Sequence, residues 1–257
     1  MNMMLKNVVV LSALGLSSLS YANSIAQESL VLGNNAQEKN TQENTEQVTT
    51  KKEKVHVGLN TEPERNIEEQ RISVAKQALM NRLSGFDHFS ATFSQQVIDE
   101  EKNILQEGQG KLSVKKPNLV YWETEQPEGS VIISDGNTLW FFDPFIEQVT
   151  AYRVDASVAN TPILLLTSSD KTLWAQYTVS QSSNDHFLIH ANDINSRVKT
   201  LELNFLADKA ILESFSILDS TGQLSLIKLY DVAINEKIAE SLFQFTLPEG
   251  VYLDDQR

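Results

Sequence analysis

Short strand-like segments loaded with aromatic side chains fill residues 108–145, which read GQGKLSVKKPNLVYWETEQPEGSVIISDGNTLWFFDPF. Alternation of apolar and polar residues over a few positions predicts half-buried strands, and the Pro, Asn and Gly residues between them predict turns. Because successive side chains of a strand point to opposite faces, the aromatic residues gather on one side. The pattern therefore predicts a curved sheet with an apolar concave face.

Two further segments have helical character. Residues 72–83 place apolar side chains on one helical face, and Gly85 can end that helix. Residues 156–167 contain an apolar run that follows Thr161 and Pro162, a helix start signal. The run is too apolar on all sides for a helix that faces solvent, so it must cover another part of the molecule. It consists of Ile163, Leu164, Leu165 and Leu166.

Strand signals recur about every ten residues, with turn residues between them and no long helix. This spacing is typical of an antiparallel meander that curls into a barrel or half-barrel, with the crossing helices as a lid. The fold class predicted is mainly β with a helical lid. We predict strands at residues 89–97, 110–115, 119–124, 130–134, 139–142, 148–154, 176–179, 187–190, 198–205, 211–218, 224–232 and 243–247.

The N-terminal quarter has a different composition from the rest. Residues 1–22 combine a positive charge, a short apolar run and a final Ser-Tyr-Ala, which predicts a cleaved signal peptide; an uncleaved anchor is the alternative. Residues 23–69 are rich in Gln, Asn, Glu, Thr and Lys, which predicts a disordered polar tail. Residues 70–257 then form one domain. No second stretch is long enough to span a bilayer, so we expect a soluble protein outside the cytoplasm.

Charge and cysteine content exclude several classes of function. A formal net charge of −13 repels phosphate backbones, so nucleic acid is not an expected partner. The chain has no cysteine, which excludes disulfides, thiol catalysis and thiolate metal sites. It also excludes the bacterial lipid anchor, which needs a cysteine at the mature N-terminus.

Candidate catalytic and metal-binding residues are few. His186 and His190 lie on a predicted strand, which separates them by about 13 Å, too far for one metal ion. Glu123, Glu125 and Glu128 are typical of a solvated face. No serine-hydrolase motif and no glycine-rich phosphate loop occurs in the sequence, so we expect no enzyme activity, cofactor or metal. From the residues alone, the aromatic side chains could equally form a packed core or line a ligand cavity.

A series of motifs across residues 72–257 resembles the LolA family of lipoprotein carriers. The matching motifs are RL (82–83), FSATFSQ (89–95), QEGQG (106–110), KKPNL (115–119), SDG (134–136), TLWF (138–141), PF (144–145), EQ (147–148), NTP (160–162), GV (250–251) and DDQ (254–256). They occur in the family's order over the whole family domain. The resemblance favours the cavity over the packed core.

The resemblance implies an incomplete antiparallel β-barrel under a helical lid. It also implies a monomeric periplasmic chaperone that receives the acylated N-terminus of a lipoprotein from the inner-membrane transporter LolCDE and delivers it to the outer-membrane receptor LolB. LolB has a similar fold but is itself a lipoprotein. Because this chain has no cysteine for such an anchor, the carrier is the expected member of the pair.

The resemblance also assigns roles to residues. An arginine that holds the lid closed in the family corresponds to Lys116, which we expect to be a weaker latch because lysine lacks the planar fork of arginine. A family pocket aromatic corresponds to Val120. The lid is the apolar run of Ile163, Leu164, Leu165 and Leu166. The expected lining residues are Leu83, Phe93, Trp122, Phe141 and Phe145.

Two alternatives remain open. An envelope hydrolase would need a nucleophile and a base that converge in the cavity, with His88, His186 or His190 beside a serine or an acid. An interaction module without cargo would fill its barrel with its own side chains, and its pocket would be too small for one acyl chain.

Overall fold

The computed structural model describes residues 62–127, 129–157, 162–207 and 209–257 of the 257-residue chain. The predicted signal peptide and residues 23–61 of the predicted tail lie outside these ranges, as do Asn160 and Thr161 before the predicted lid. Within the described ranges, no helix is long and apolar enough to cross a membrane.

Twelve strands form one open sheet. They are β1 (His88–Ile98), β2 (Ile104–Lys115), β3 (Leu119–Gln126), β4 (Ser130–Asp135), β5 (Thr138–Asp143), β6 (Gln148–Arg153), β7 (Tyr177–Ser183), β8 (His186–Ala191), β9 (Val198–Phe205), β10 (Leu212–Asp219), β11 (Leu224–Ile234) and β12 (Tyr252–Asp255). The order across the sheet is β12-β6-β5-β4-β3-β2-β1-β11-β10-β9-β8-β7.

The sheet consists of two antiparallel meanders joined at their inner strands. β1 to β6 form the first and β7 to β11 the second, and antiparallel pairing of β1 with β11 connects them. The sheet does not close, because β12 and β7 stand at opposite ends of the strand order. The predicted fold class, mainly β with an incomplete antiparallel barrel and a few helices, is confirmed.

The long helix α1 (Glu62–Leu83) begins ten residues before the predicted start. Residues 62–71 are rich in Glu and Arg, which favour helix, but they lack the apolar periodicity that marked residues 72–83. The predicted boundary between tail and domain, at residues 69–70, therefore falls inside this helix. At its C-terminal end, Arg82 donates hydrogen bonds to the carbonyls of Lys209 and Asn184 and to the Asp185 carboxylate, at 2.6, 3.0 and 2.6 Å.

The predicted strand at residues 243–247 is wrong. Glu240–Phe243 forms a 3₁₀ helix, and the last strand is β12, which pairs parallel to β6 with Tyr252 opposite Gln148. Phe243 is 2% exposed, and the Phe245 ring stacks on Trp140 at 5.1 Å. The apolar residues here thus pack against the sheet without joining it, which the alternation could not show.

The core lies on one face of the sheet. Alternation places Phe89 and Phe93 of β1 and Trp122 of β3 inward, each 1–2% exposed. Gly110 of β2 allows this packing, because a β-carbon there would lie 1.8 Å from the Glu123 carbonyl oxygen and 2.9 Å from the Phe93 ring. The predicted apolar concave face is therefore the core face of the sheet.

Candidate functional site: an apolar interior under a 3₁₀ lid

Aromatic side chains from the strands form part of the apolar interior of the protein. The ring centroids of Phe93 and Trp122 lie 4.6 Å apart, and Trp122 meets Phe215 of β10 edge to face at 6.0 Å. The indole nitrogen of Trp122 donates to Thr124 Oγ1 at 3.3 Å, which satisfies its buried donor. Phe141 of β5 is 5% exposed and packs against Tyr152. These contacts bring residues of both meanders together.

The predicted lid residues lie in the 3₁₀ helix Pro162–Thr167, which we call the lid. The lid packs against β3. Inside it, the Thr167 hydroxyl donates to the Leu164 carbonyl at 2.8 Å, so its polar group is satisfied although the residue is buried. The four apolar lid side chains, Ile163, Leu164, Leu165 and Leu166, are 0–1% exposed and belong to the main core cluster.

Little free volume remains beside Leu165 of the lid. A cavity of about 10 Å³ remains between Leu165 and residues of the second meander such as Tyr177 and Ile189. A volume of this size is about the minimum for one water molecule, so no acyl chain fits in this cavity. The interaction module without cargo would also have a pocket this small, and a ligand could enter this space only if the four apolar side chains left it.

Lys116 lies in the turn between β2 and β3 and contacts the end of α1. Its Nζ donates to the carbonyls of Leu83 and Phe86, both at 2.6 Å, and sits 4.4 Å from the centre of the Phe86 ring. Burial lowers the pKa of Lys116, and the Asp87 carboxylate opposes this shift. The carbonyls that Lys116 holds belong to α1 and to the loop after it, and they do not belong to the four apolar lid residues.

Comparison with known proteins identifies the family. The family described as "Outer membrane lipoprotein carrier protein LolA" matches residues 84–246. An outer-membrane lipoprotein carrier protein of Histophilus somni is 42% identical over 183 residues, which cover 71% of this chain and 88% of the relative. The corresponding protein of Haemophilus influenzae is 44% identical with the same coverage. The chain belongs to the LolA family. A crystal structure of a LolA superfamily protein from Nitrosomonas europaea superposes with a TM-score of 0.43 at 11% identity, over 66% of this chain and 97% of that one.

The LolA match contains most of the residues predicted for the site. Phe93, Trp122, Phe141 and the lid lie within residues 84–246 and belong to one buried cluster. Leu83, the last residue of α1, lies just outside the matched range, but it is 5% exposed and belongs to the same cluster. Val120 is fully buried in it as well. The structure therefore brings four of the five predicted lining residues into one interior.

Phe145 is the exception, and the prediction that it lines the interior is wrong for this conformation. It lies in the turn between β5 and β6 and is 61% exposed. Its backbone N–H donates to Asp143 Oδ1 at 2.9 Å, an Asx turn that ends the strand. The inward and outward alternation of β5 stops at Asp143, so it does not extend to Phe145.

His186 does contact a serine and an acid, as the hydrolase alternative required, but not in the interior. Its Nδ1 contacts Ser182 Oγ, and its Nε2 lies 2.5 Å from Glu202 Oε1. Glu202 alternates on β9 with the buried Leu201 and Leu203, so this group faces away from the core. His88 contacts a backbone carbonyl, that of Glu236. Neither histidine provides a base inside the lid-covered space.

Among the described residues, no group of three or more His, Asp or Glu side chains is placed to hold a metal ion. His186 and His190 are both on β8, as the sequence predicted.

The sequence did not reveal one contact beside the lid. Lys76 of α1 donates from Nζ to the backbone carbonyl of Trp174 at 2.7 Å, across 98 positions of sequence. Trp174 ends the short helix α3 (Lys171–Trp174), which follows the lid, whereas the short helix α2 (Val154–Ser157) precedes it. A lysine next to the apolar stripe of a predicted helix is an ordinary solvated residue by pattern, so no sequence signal identified its partner.

Proposed function

We propose that the protein is a periplasmic chaperone that carries outer-membrane lipoproteins, with their acyl chains in the interior that the lid now fills. The observation that carries the proposal is the lid itself: four apolar side chains, 0–1% exposed, sit on a short helix inside the core of a LolA-family chain. If this segment left the core, other apolar groups would have to take its place to keep the interior out of water. Acyl chains are such groups.

The energetics suit a carrier that must also release its cargo. Each methylene withdrawn from water contributes about 0.8 kcal/mol, so acyl chains gain tens of kcal/mol on entering the interior. Burial of a Leu or Ile side chain contributes about 1.5–3 kcal/mol, and the lid loses this for each of its four apolar residues if it opens to water. Closure of the empty carrier therefore offsets part of the gain from cargo, and the net affinity stays moderate.

The same proposal includes the predicted partners and cellular location. The chain would receive its cargo from LolCDE and deliver it to LolB, as the family resemblance implies, without stable membrane insertion and without chemistry or a cofactor. Residues 1–22 would direct export as a signal peptide, and residues 23–61 would remain as a polar tail ahead of α1. The expected state is a monomer.

Lys116 would act as a latch through α1. It holds the Leu83 and Phe86 carbonyls, and Leu83 belongs to the cluster that contains the lid residues. Replacement of Lys116 with Leu removes both hydrogen bonds. We expect a hydrophobic fluorescent probe to bind this variant faster and more tightly. An affinity and an on-rate equal to those of the parent would refute the latch.

Native mass spectrometry of the protein purified from the periplasm tests the function. We expect one triacylated lipoprotein per chain in a fraction of the molecules. Free fatty acid alone, or no bound material in cells that actively export lipoproteins, would contradict the proposal.

A further inference from the structure

We infer that Lys76 is a positioning residue that holds the lid closed by acting through Trp174. The inference rests on the proposed function, because it assigns Lys76 to control of the same lid-covered interior. It concerns a part of α1 that lies before the residues matched by the family.

Three hydrogen bonds in series connect α1 to the lid. Lys76 Nζ donates to the Trp174 carbonyl at 2.7 Å, and Trp174 Nε1 donates to the Ser168 carbonyl at 2.9 Å. The backbone N–H of Ser168, the residue directly after the lid, donates to the carbonyl of Leu165 at 3.3 Å. The residue that accepts one of these hydrogen bonds donates the next one. A shift of α1 is therefore transmitted to the end of the lid.

Trp174 is well placed to transmit such a shift. It is 2% exposed and belongs to the same core cluster as Leu165, so its ring has little freedom to reorient. Its backbone carbonyl lies at the end of a helical turn. No further helical turn follows whose N–H group could donate to it, so this carbonyl is available to accept from Lys76. Asp170 caps the start of this turn, accepting from the Thr172 N–H at 2.8 Å. The helix α3, which lies between the lid and β7, is therefore fixed at both ends.

Burial of Lys76 supports a specific role for its ammonium group. The side chain is partly buried, and desolvation lowers its pKa. An ordinary surface lysine would extend into water, since its charge is better solvated there. Here the carbonyl compensates for part of the lost hydration. Lys116 holds the C-terminal end of α1, so two lysines connect this helix to two different segments of the chain.

Hydrogen–deuterium exchange of the protein without cargo tests the inference. In Lys76→Met, which keeps the aliphatic stem and removes the donor, we expect amides of residues 163–168 to exchange roughly tenfold faster, a change that corresponds to about 1.4 kcal/mol. Lys76→Arg keeps a donor and should restore slow exchange. Amides of β1 to β3 should exchange as in the parent, whereas a general loss of stability would accelerate them too.

Lys171→Met is the matched control, because Lys171 is an exposed lysine on α3 and its loss changes the net charge equally. Equal exchange at residues 163–168 in Lys76→Met and the parent would overturn the inference, and so would equal acceleration in Lys171→Met. If Lys76→Met does not fold, Trp174→Phe keeps an aromatic ring, removes the bond to Ser168 and should accelerate the same amides. These outcomes need no lipoprotein, so they are independent of the mass-spectrometric test of function.

Discussion

The lid and the turn between β5 and β6 are two short apolar segments, each with a proline, but the lid is buried and the turn is exposed. The lid buries Leu164 and Leu165 completely. In the turn, Phe145 is 61% and Ile146 51% exposed. The difference does not come from hydrophobicity, since an aromatic ring gains as much from burial as a leucine. It comes from the backbone: Asp143 Oδ1 accepts from the N–H groups of both exposed residues, at 2.9 and 3.3 Å, and so fixes the turn outside the core.

The comparison shows where a change of conformation would alter the stability of the protein. Movement of the lid would expose four buried side chains unless a ligand covered the interior, whereas movement of the turn would expose little that is not already in water. An apolar segment that is fully buried on a short 3₁₀ helix can therefore compete with an apolar ligand. The turn cannot.

Truncation within the two segments should give the largest contrast. Leu164→Ala removes fully buried methyl groups, and we expect it to lower the free energy of unfolding by about 2–4 kcal/mol. Phe145→Ala should lower it by less than about 0.5 kcal/mol, because the ring is mostly in water. Urea unfolding of both variants measures the difference. Equal losses would show that the two segments are not distinct in this way.

Loss of the Lys116 hydrogen bonds should have a smaller effect. Lys116→Leu leaves two carbonyls at the end of α1 without their donor, and we expect a loss of about 1.5–3 kcal/mol in unfolding free energy. Lys111→Leu is the matched control, since Lys111 pairs with Glu125 on the exposed surface and such pairs contribute up to about 1 kcal/mol. If the two substitutions destabilise the protein equally, Lys116 does not hold α1.

The contribution of Lys116 to the pH dependence of the unfolding free energy should be the smallest of these effects. Burial lowers the pKa of Lys116 in the folded protein below its ordinary value of 10.5. Between the lowered pKa and 10.5, the unfolded chain binds more protons than the folded one, so stability rises with pH across this window. The stability of the parent relative to Lys116→Leu should increase from pH 8 to 10, by less than about 1 kcal/mol because solvent screens the partly buried group. Urea unfolding at each pH measures it, and a decrease would contradict the assignment.

Alternation predicted the core face well, for a physical reason. A strand inside a sheet must place alternate side chains on the same face, so Phe89, Phe93 and Trp122 could be assigned from the sequence alone. The rule fails where the backbone leaves the sheet. Phe145 comes shortly after the predicted strand at residues 139–142, but it lies in an Asx turn. Phe243 begins the predicted strand at residues 243–247, but it lies in a 3₁₀ helix.

The sequence could not predict hydrogen bonds between residues that are far apart in the chain. Lys116 was singled out only through the family resemblance, and its actual partners, the Leu83 and Phe86 carbonyls, are 33 and 30 positions away. Backbone carbonyls carry no sequence signature, because every residue has one. The bond from Lys76 to Trp174 is hidden for the same reason.

The central claim is that cargo displaces the lid from the interior, and the absence of cysteine in the chain allows a direct test. A single cysteine in place of Leu165 reports burial of the lid through its rate of reaction with a water-soluble thiol reagent, and Phe145→Cys is the exposed reference. We expect slow labelling of the lid cysteine in the empty protein, labelling at least tenfold faster after loading with triacylated lipoprotein, and fast labelling of the reference in both states. A lid cysteine that reacts at the same slow rate in the loaded protein would contradict the account.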